Sequence, residues 1–397
     1  MVLFGKPGQF CVMIRNVRIA PVLNSRGEAT VLAEIITKEG SFYATAPAGK
    51  SKGEYEAKAQ PFGKIAKLFP KVRKKLVGLD ERDFSIIDDT LEQLGINRIG
   101  GNLAIALSMA AVRAAGKGEA FAGLGTVKSF PYLLGNVVGG GAHGGGLSIQ
   151  EVLVVPVRAR TVRDAAKTNF AIWHAVGNEL GAHGIIGRND EGAWVSAADE
   201  AETLGIVSNA ARKFGARVGI DVAAGQLYKN GKYHWPSLGR TLSKSEQMDK
   251  ILDLIEEFRL VYVEDPFVDT DWNDFTELTR KTKILVCGDD LFATQPERLD
   301  IGVHKRAARA AIIKPDQAGL VSKTLRAINI AKRGGLVPVV SHRSGESCDP
   351  FIADLAVATG APLLKAGIFG EERVAKANRL AELWEKVKKP AMAKLRL

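Results

Sequence analysis

Residues 260–291 read LVYVEDPFVDTDWNDFTELTRKTKILVCGDDL. Two apolar runs in this stretch, Leu260–Val263 and Ile284–Cys287, lead into carboxylates at Glu264 and Asp289, 25 residues apart. That spacing is about one strand and one returning helix, the unit of a parallel sheet. A buried strand tolerates a charge only where it emerges. The same arrangement extends outward. Asp221 follows Val-Gly-Ile within Arg217–Val222, Lys314 follows Ala311–Ile313, His342 follows Leu336–Val340 and Ser341, and Lys365 follows Leu363–Leu364. From Asp221 the steps are 43, 25, 25, 28 and 23 residues. Helical segments such as Ser245–Glu257, Val321–Lys332 and Asp349–Ala358 lie between these strands, and Val152–Val157 is a further strand before them. The alternation predicts a (β/α)8 TIM-like barrel with six polar tips gathered at its C-terminal mouth. One strand-end charge merely solvates the chain. Acid, acid, acid, base, imidazole, base on successive strands describes a site.

Three carboxylates meeting at one place repel unless a cation lies among them, and oxygen-only ligands suit a hard ion such as Mg²⁺. Zinc would recruit histidine or cysteine, and Cys287 lies before the turn rather than at its tip. A lysine beside a metal, desolvated, has its pKa lowered and becomes a general base. A second lysine opposite holds an anionic group. The constellation therefore fits proton chemistry on a carboxylic acid.

The chain ahead of the barrel is different. Cys11–Ala20, Ala29–Thr37 and Ser41–Thr45 read as strands, separated by turn-like Asn24-Ser25-Arg26-Gly27 and Glu39-Gly40. Residues 64–116 read as helical, with Ile86-Ile87, Leu91, Leu94 and Leu103 to Val112 at helical spacing. A glycine-rich passage at 116–146 separates this small α+β domain, placed at 1–125, from the catalytic barrel at 126–397. The 397 residues suit a small domain plus a barrel. Three well-separated cysteines, Cys11, Cys287 and Cys348, exclude a disulfide framework and suit a reducing cytoplasm. The N-terminal residues lack signal-peptide features, and no run of 18 apolar residues offers a membrane span. Lysine and arginine number 55 against 44 acids, a net charge of +11 that could attract nucleic acid or an anionic substrate.

The motifs, in order and along nearly the whole chain, resemble the enolase family, the phosphopyruvate hydratases. Asn24-Ser25-Arg26-Gly27-Glu28-Ala29-Thr30-Val31 resembles its opening motif, and Gly141-Ala142-His143 with Gln150-Glu151 its histidine loop. Asn189-Asp190-Glu191-Gly192-Ala193-Trp194, Val263-Glu264-Asp265-Pro266-Phe267 and Cys287-Gly288-Asp289-Asp290-Leu291 follow. So do Ile313-Lys314-Pro315-Asp316-Gln317 and Ser341-His342-Arg343-Ser344-Gly345-Glu346. Lys365-Ala366-Gly367 with Glu371-Glu372-Arg373 resembles the shorter C-terminal form of archaeal members. The resemblance implies reversible, Mg²⁺-dependent dehydration of 2-phosphoglycerate to phosphoenolpyruvate in glycolysis and gluconeogenesis. It implies two Mg²⁺ per active site and a homodimer or higher homo-oligomer. By the same resemblance Asp221, Glu264 and Asp289 bind the tight metal, and Ser51 joins a second when its mobile loop shuts. Lys314 takes the C2 proton, and Glu191 with Glu151 assists departure of the C3 hydroxyl. Lys365 grips the substrate carboxylate, Arg343 and Ser344 hold the phosphate, and His143 and His342 close over the substrate. Asp190, Asp265 and Asp290 adjoin site positions and are read as caps of turns or helices.

Some residues depart from the family pattern. Lys50 and Lys52 flank Ser51 where small residues are usual, Asn24 replaces an aspartate, and Asp316 replaces an asparagine. The passage after Glu56 is shortened and refilled by Lys64, Lys67, Lys71, Arg73, Lys74 and Lys75. Ile65, Leu68, Val72 and Leu76 lie among these at helical spacing, and Pro70 predicts that a new helix starts there. Two other readings follow from these departures: an enolase-fold protein contacting RNA, the ribosome or a partner protein through this basic surface, and a related barrel enzyme acting on a different carboxylic acid.

Overall fold

The computed structural model describes residues 13–50, 53–141, 144–395 and 397. Ser51, Lys52 and His143 lie outside the described residues, as does Cys11.

An antiparallel meander opens the chain: β1 (Asn16–Leu23), β2 (Ala29–Ile36) and β3 (Ser41–Thr45). Asn24 makes the first turn, its Oδ1 accepting from the backbone N–H of Arg26 at 2.9 Å and of Glu28 at 3.1 Å. Val31, Ala33 and Ile35 alternate inward along β2, the period expected of a sheet covered on one face. Helices α1 (Phe62–Leu76), α2 (Phe84–Leu94) and α3 (Gly101–Ala115) follow, and α3 is buried along most of its length against β2 and β3. Pro70 does not start a helix, contrary to the expectation from sequence; α1 runs through it. The missing N–H costs one backbone hydrogen bond, while Ile65, Val72 and Leu76, on either side of it, are fully buried and hold both halves of the helix to the sheet.

The barrel consists of β4 (Tyr132–Gly139), β5 (Glu151–Val155), β6 (Arg217–Asp221), β7 (Tyr262–Glu264), β8 (Leu285–Gly288), β9 (Ala310–Ile313), β10 (Val337–Ser341) and β11 (Leu363–Lys365). Pairing of β11 with β4 closes it. The outer layer includes α4 (Val162–Leu180), α5 (Glu200–Phe214), α6 (Lys244–Phe258), α7 (Trp272–Lys281) and α8 (Pro296–Lys305). It is completed by α9 (Val321–Arg333), α10 (Phe351–Thr359) and α11 (Glu371–Lys386). β4 lies inside the glycine-rich passage that reads as a separator. Its apolar residues Leu133, Leu134, Val137 and Val138 are buried, and Gly135 is required because a Cβ there would lie 2.7 Å from Ile368. β5 runs antiparallel to both neighbours, since only residues 140–150 connect it to β4, too few for the crossover a parallel pair needs. Its first residue, Glu151, therefore lies beside Asp221, the last residue of β6.

The two domains share a helix terminus. Leu320, at the N-cap of α9, cannot cap it. Asp88 of α2 accepts from the Ser322 N–H at 2.8 Å and Ser108 of α3 from the Val321 N–H at 2.9 Å. The small domain thus supplies the cap that the barrel helix lacks.

Candidate active site

The barrel mouth and the loop after β3 enclose a cavity of about 310 Å³, lined by seven carboxyls and four cationic side chains. Parallel register aligns Glu264 with Asp221 and with Cys287, two residues short of Asp289. The strand tips named from sequence therefore meet.

Lys365 is the centre of the first group. Its Nζ lies 3.0 Å from Asp221, 2.9 Å from Glu264 and 3.0 Å from Glu151. One ammonium cannot neutralise three buried carboxyls. Burial, and then the charge of Asp221, push Glu264 up to about 8, with Lys365 opposing. Burial likewise raises Glu151 well above the ordinary range, against Lys365 and with help from Glu191. Lys365 is itself held strongly protonated by Asp221, Glu151 and Glu264, which outweigh its burial.

Lys314 and Asp289 form the second group, an ion pair at the tips of β9 and β8. Burial alone would lower the Lys314 pKa, as expected from sequence. The Asp289 carboxylate reverses this and holds Lys314 above its usual value. Burial pushes Asp289 up, but Lys314 leaves it below its ordinary pKa.

Asp265 acts as a cap. It adopts φ +39, and its carboxylate accepts from the backbone N–H groups of Asp289 at 2.9 Å and Asp290 at 2.8 Å. This fixes the turn on which Asp289 stands. Oxygens of Asp265, Asp289 and Asp290 also lie within 4.8 Å of one another, and burial with the charge of Asp289 raises Asp290 to about 7.

Glu191 and His342 form a third group. Asn136 donates to Glu191 at 3.1 Å. Arg373 donates to the Nδ1 of His342; because a guanidinium only donates, the imidazole proton lies on Nε2. That nitrogen is 3.7 Å from Glu191. Burial and the Arg373 charge push the imidazole pKa well down, so it is neutral. Arg373 also donates to the carbonyls of Arg343, Ser344 and Asp190 at 2.6, 2.6 and 3.0 Å. Sequence reading gave Arg373 no role. It is a fully buried cation in α11 and ties together two loops of the mouth, 342–344 and that of Asp190.

Arg343 is held between Asp316 at 2.8 Å and Glu56 at 3.0 Å. Glu56, from the small domain, was also missed, because it is 287 residues from its partner. A counterion for Arg343 is foreseeable from its burial, but which acid supplies it is not. Gly49 permits the approach, since a Cβ there would lie 1.8 Å from the guanidinium. Ala48 bridges Gly345 in antiparallel fashion, the Lys50 N–H donates to Ser344 Oγ at 2.9 Å, and Arg26 donates to the same oxygen at 2.7 Å. The stem of the lysine-bearing loop is thus docked on the mouth, and Lys50 lines the cavity. Burial raises Asp316 to about 6 against the pull of Arg343.

Comparison with known proteins decides what this arrangement is. Residues 14–122 match the family model described as enolase, N-terminal domain, and residues 127–394 that of the enolase C-terminal TIM barrel domain. The chain belongs to the enolase family. It is 41% identical over 401 residues to an enolase of Natronomonas pharaonis, covering 94% of this chain and 98% of that one. An enolase of Archaeoglobus fulgidus is 38% identical over 398 residues, with 96% and 99% covered. An enolase of Methanosphaera stadtmanae is 36% identical over 411 residues, again with 96% and 99% covered. The enolase motifs thus run through both domains, and the cavity lies where the two meet.

Proposed function

We propose that the mouth dehydrates 2-phosphoglycerate to phosphoenolpyruvate, reversibly, with the residue roles that follow. As a member of the enolase family the chain is a phosphopyruvate hydratase, a carbon–oxygen lyase of glycolysis and gluconeogenesis. The observation that carries the residue assignment is the separation of the titratable groups into two sets. A lysine–aspartate pair, Lys314 and Asp289, forms one set; in the other Lys365 lies among Glu151, Asp221 and Glu264, and the charge of Glu191 helps to raise Glu151.

The donor set fits Mg²⁺. The ligands are all oxygen, carboxyls outnumber cations around the cavity, and burial raises the pKa of those without a full countercharge. Asp221, Glu264 and Asp289 would hold one ion and Ser51 a second, and bound metal would stabilise the doubly negative enediolate formed when a proton leaves beside a carboxylate. Lys314 removes the C2 proton. It does so once Asp289 no longer holds it protonated, which ties its basicity to engagement of that carboxylate. Glu151, kept protonated by burial, shares its proton with Glu191 and delivers it to the departing C3 hydroxyl, since hydroxide leaves poorly without an acid. Lys365 binds the substrate carboxylate. Arg343 and Ser344 bind the phosphate, which competes with Glu56 and Asp316 for the guanidinium. His342, neutral and oriented by Arg373, and His143 complete the enclosure. Exchange of the C2 proton with solvent deuterium tests the base: it proceeds in the wild type and in Glu191→Gln, and its persistence in Lys314→Ala would refute the assignment.

No helix among the described residues is long and apolar enough to cross a membrane, and we place the enzyme in the cytoplasm as a homo-oligomer. Sedimentation measures the latter. A nucleic-acid contact is the second reading. Lys64, Lys67, Lys71, Lys74 and Lys75 of α1 are all exposed, and helical geometry puts them within about 100° of arc. α1 contains no acid. Retention of RNA that high salt removes, and that neutralising these lysines abolishes, is the expected result.

A further inference from the structure

The opposite, N-terminal end of the barrel contains a second cavity, of about 490 Å³, lined by Arg158, Arg212, Arg217 and Arg259 with Glu257 as the only carboxylate. None of the four guanidiniums has an acid within 4 Å among the described residues, whereas the arginines of the mouth and of the domain interface are paired. We propose that this cavity is a binding site for a small anion carrying two or more phosphate groups.

Each arginine is rooted on a rigid part of the fold. Arg217 begins β6 and pairs in register with Val155 of β5, and Arg158 follows the end of that strand three residues on. Arg212 is in the last turn of α5. Arg259 is the C-cap of α6 at φ +51, closed by its N–H to the carbonyls of Glu256 and Ile255. Gly205, Ser208 and Arg212 follow one another at helical spacing along one wall. A Cβ at Gly205 would meet nothing within 4 Å, and the buried Ser208 hydroxyl has no hydrogen-bond partner.

A cation at a helix C-terminus complements the helix dipole, and that would account for Arg212 and Arg259 one at a time. It does not account for four guanidiniums around one concavity with a net charge of +3, none of them with a carboxylate partner among the described residues and only Arg212 held by a neutral one, the Asn209 side chain. The four side chains are exposed, so water screens their mutual repulsion, and their summed positive field around the concavity attracts a polyanion. The planar forks of arginine suit bidentate contact with phosphate oxygens. The volume is that of an ordinary small-molecule site. The exposed Lys213 on α5, next to Arg212, adds to the positive field.

The probe is inorganic tripolyphosphate, titrated calorimetrically into the full chain without divalent metal and with ionic strength held constant by chloride. The expected result is a saturable site, with affinity reduced about tenfold or more in Arg212→Ala/Arg259→Gly. Glycine is favoured at the left-handed position of residue 259, so this variant retains the fold, and its turnover at the mouth is unchanged. Should the double variant fail to fold, Arg158→Gln carries the same expectation. Absence of saturable binding at matched ionic strength, or wild-type affinity in these variants, overturns the proposal.

Discussion

One strand, β6, connects two unlike ends of the barrel: Asp221 at its tip joins a cluster of carboxyls, and Arg217 at its start joins a cluster of guanidiniums. At the mouth nearly every charge has a partner, and the acids in excess have raised pKa values. At the opposite end the arginines have no ion-paired acid among the described residues and reach solvent. Burial makes the difference. In a low-dielectric mouth an unmatched charge is costly, so lysines and carboxyls interlock and protons become movable. At an open rim water screens the excess.

The largest expected effect in this contrast is at the base. Lys314→Ala lowers turnover by about a thousandfold or more, while circular dichroism stays native because the buried apolar residues of β9 that pack the barrel are untouched. Asp88 gives a third environment, a buried carboxyl with no ion-pair partner among the described residues. Burial raises it to about 6, with Ser108 and Ser322 opposing. Because the folded pKa lies above the unfolded one, its contribution to stability is complete below about pH 4 and is lost as pH rises to about 6. The loss amounts to at most about 3 kcal/mol. Asp88→Asn should flatten that part of the stability–pH curve, as read by urea unfolding between pH 4 and 7. Mg²⁺ at a hundredfold excess over its Kd should stabilise the chain by about 2.7 kcal/mol, and Arg212→Ala/Arg259→Gly should leave that stabilisation intact. The smallest effect is expected from Asp265→Asn, which loosens the turn under Asp289 and weakens Mg²⁺ binding about tenfold.

Much of this was legible in the chain. Apolar runs ending in Glu264, Asp289, Lys314 and Lys365 announce strands that open on a common mouth, because a charge cannot follow a buried strand elsewhere. The turn at Asn24 and the inward alternation of β2 are equally local signals. The reversal of β5 depends on the short connection, residues 140–150, that brings it back beside β4, and β4 itself is hidden by glycines, of which Gly135 is required by the packing of Ile368 and Asn169. Pro70 misled because tertiary burial on both sides outweighs one lost hydrogen bond. Glu56 and Arg373 belong to the mouth through partners far away in sequence, which no spacing rule reveals. The Lys314 pKa turned upward for a similar reason: desolvation is local to one residue, whereas the countercharge is on the next strand.

The central claim is that the interlocked mouth carries out enolase chemistry. Purified protein should form phosphoenolpyruvate from 2-phosphoglycerate with saturating Mg²⁺ at neutral pH, and should stop when the metal is chelated. No turnover from folded, metal-saturated protein would contradict the account.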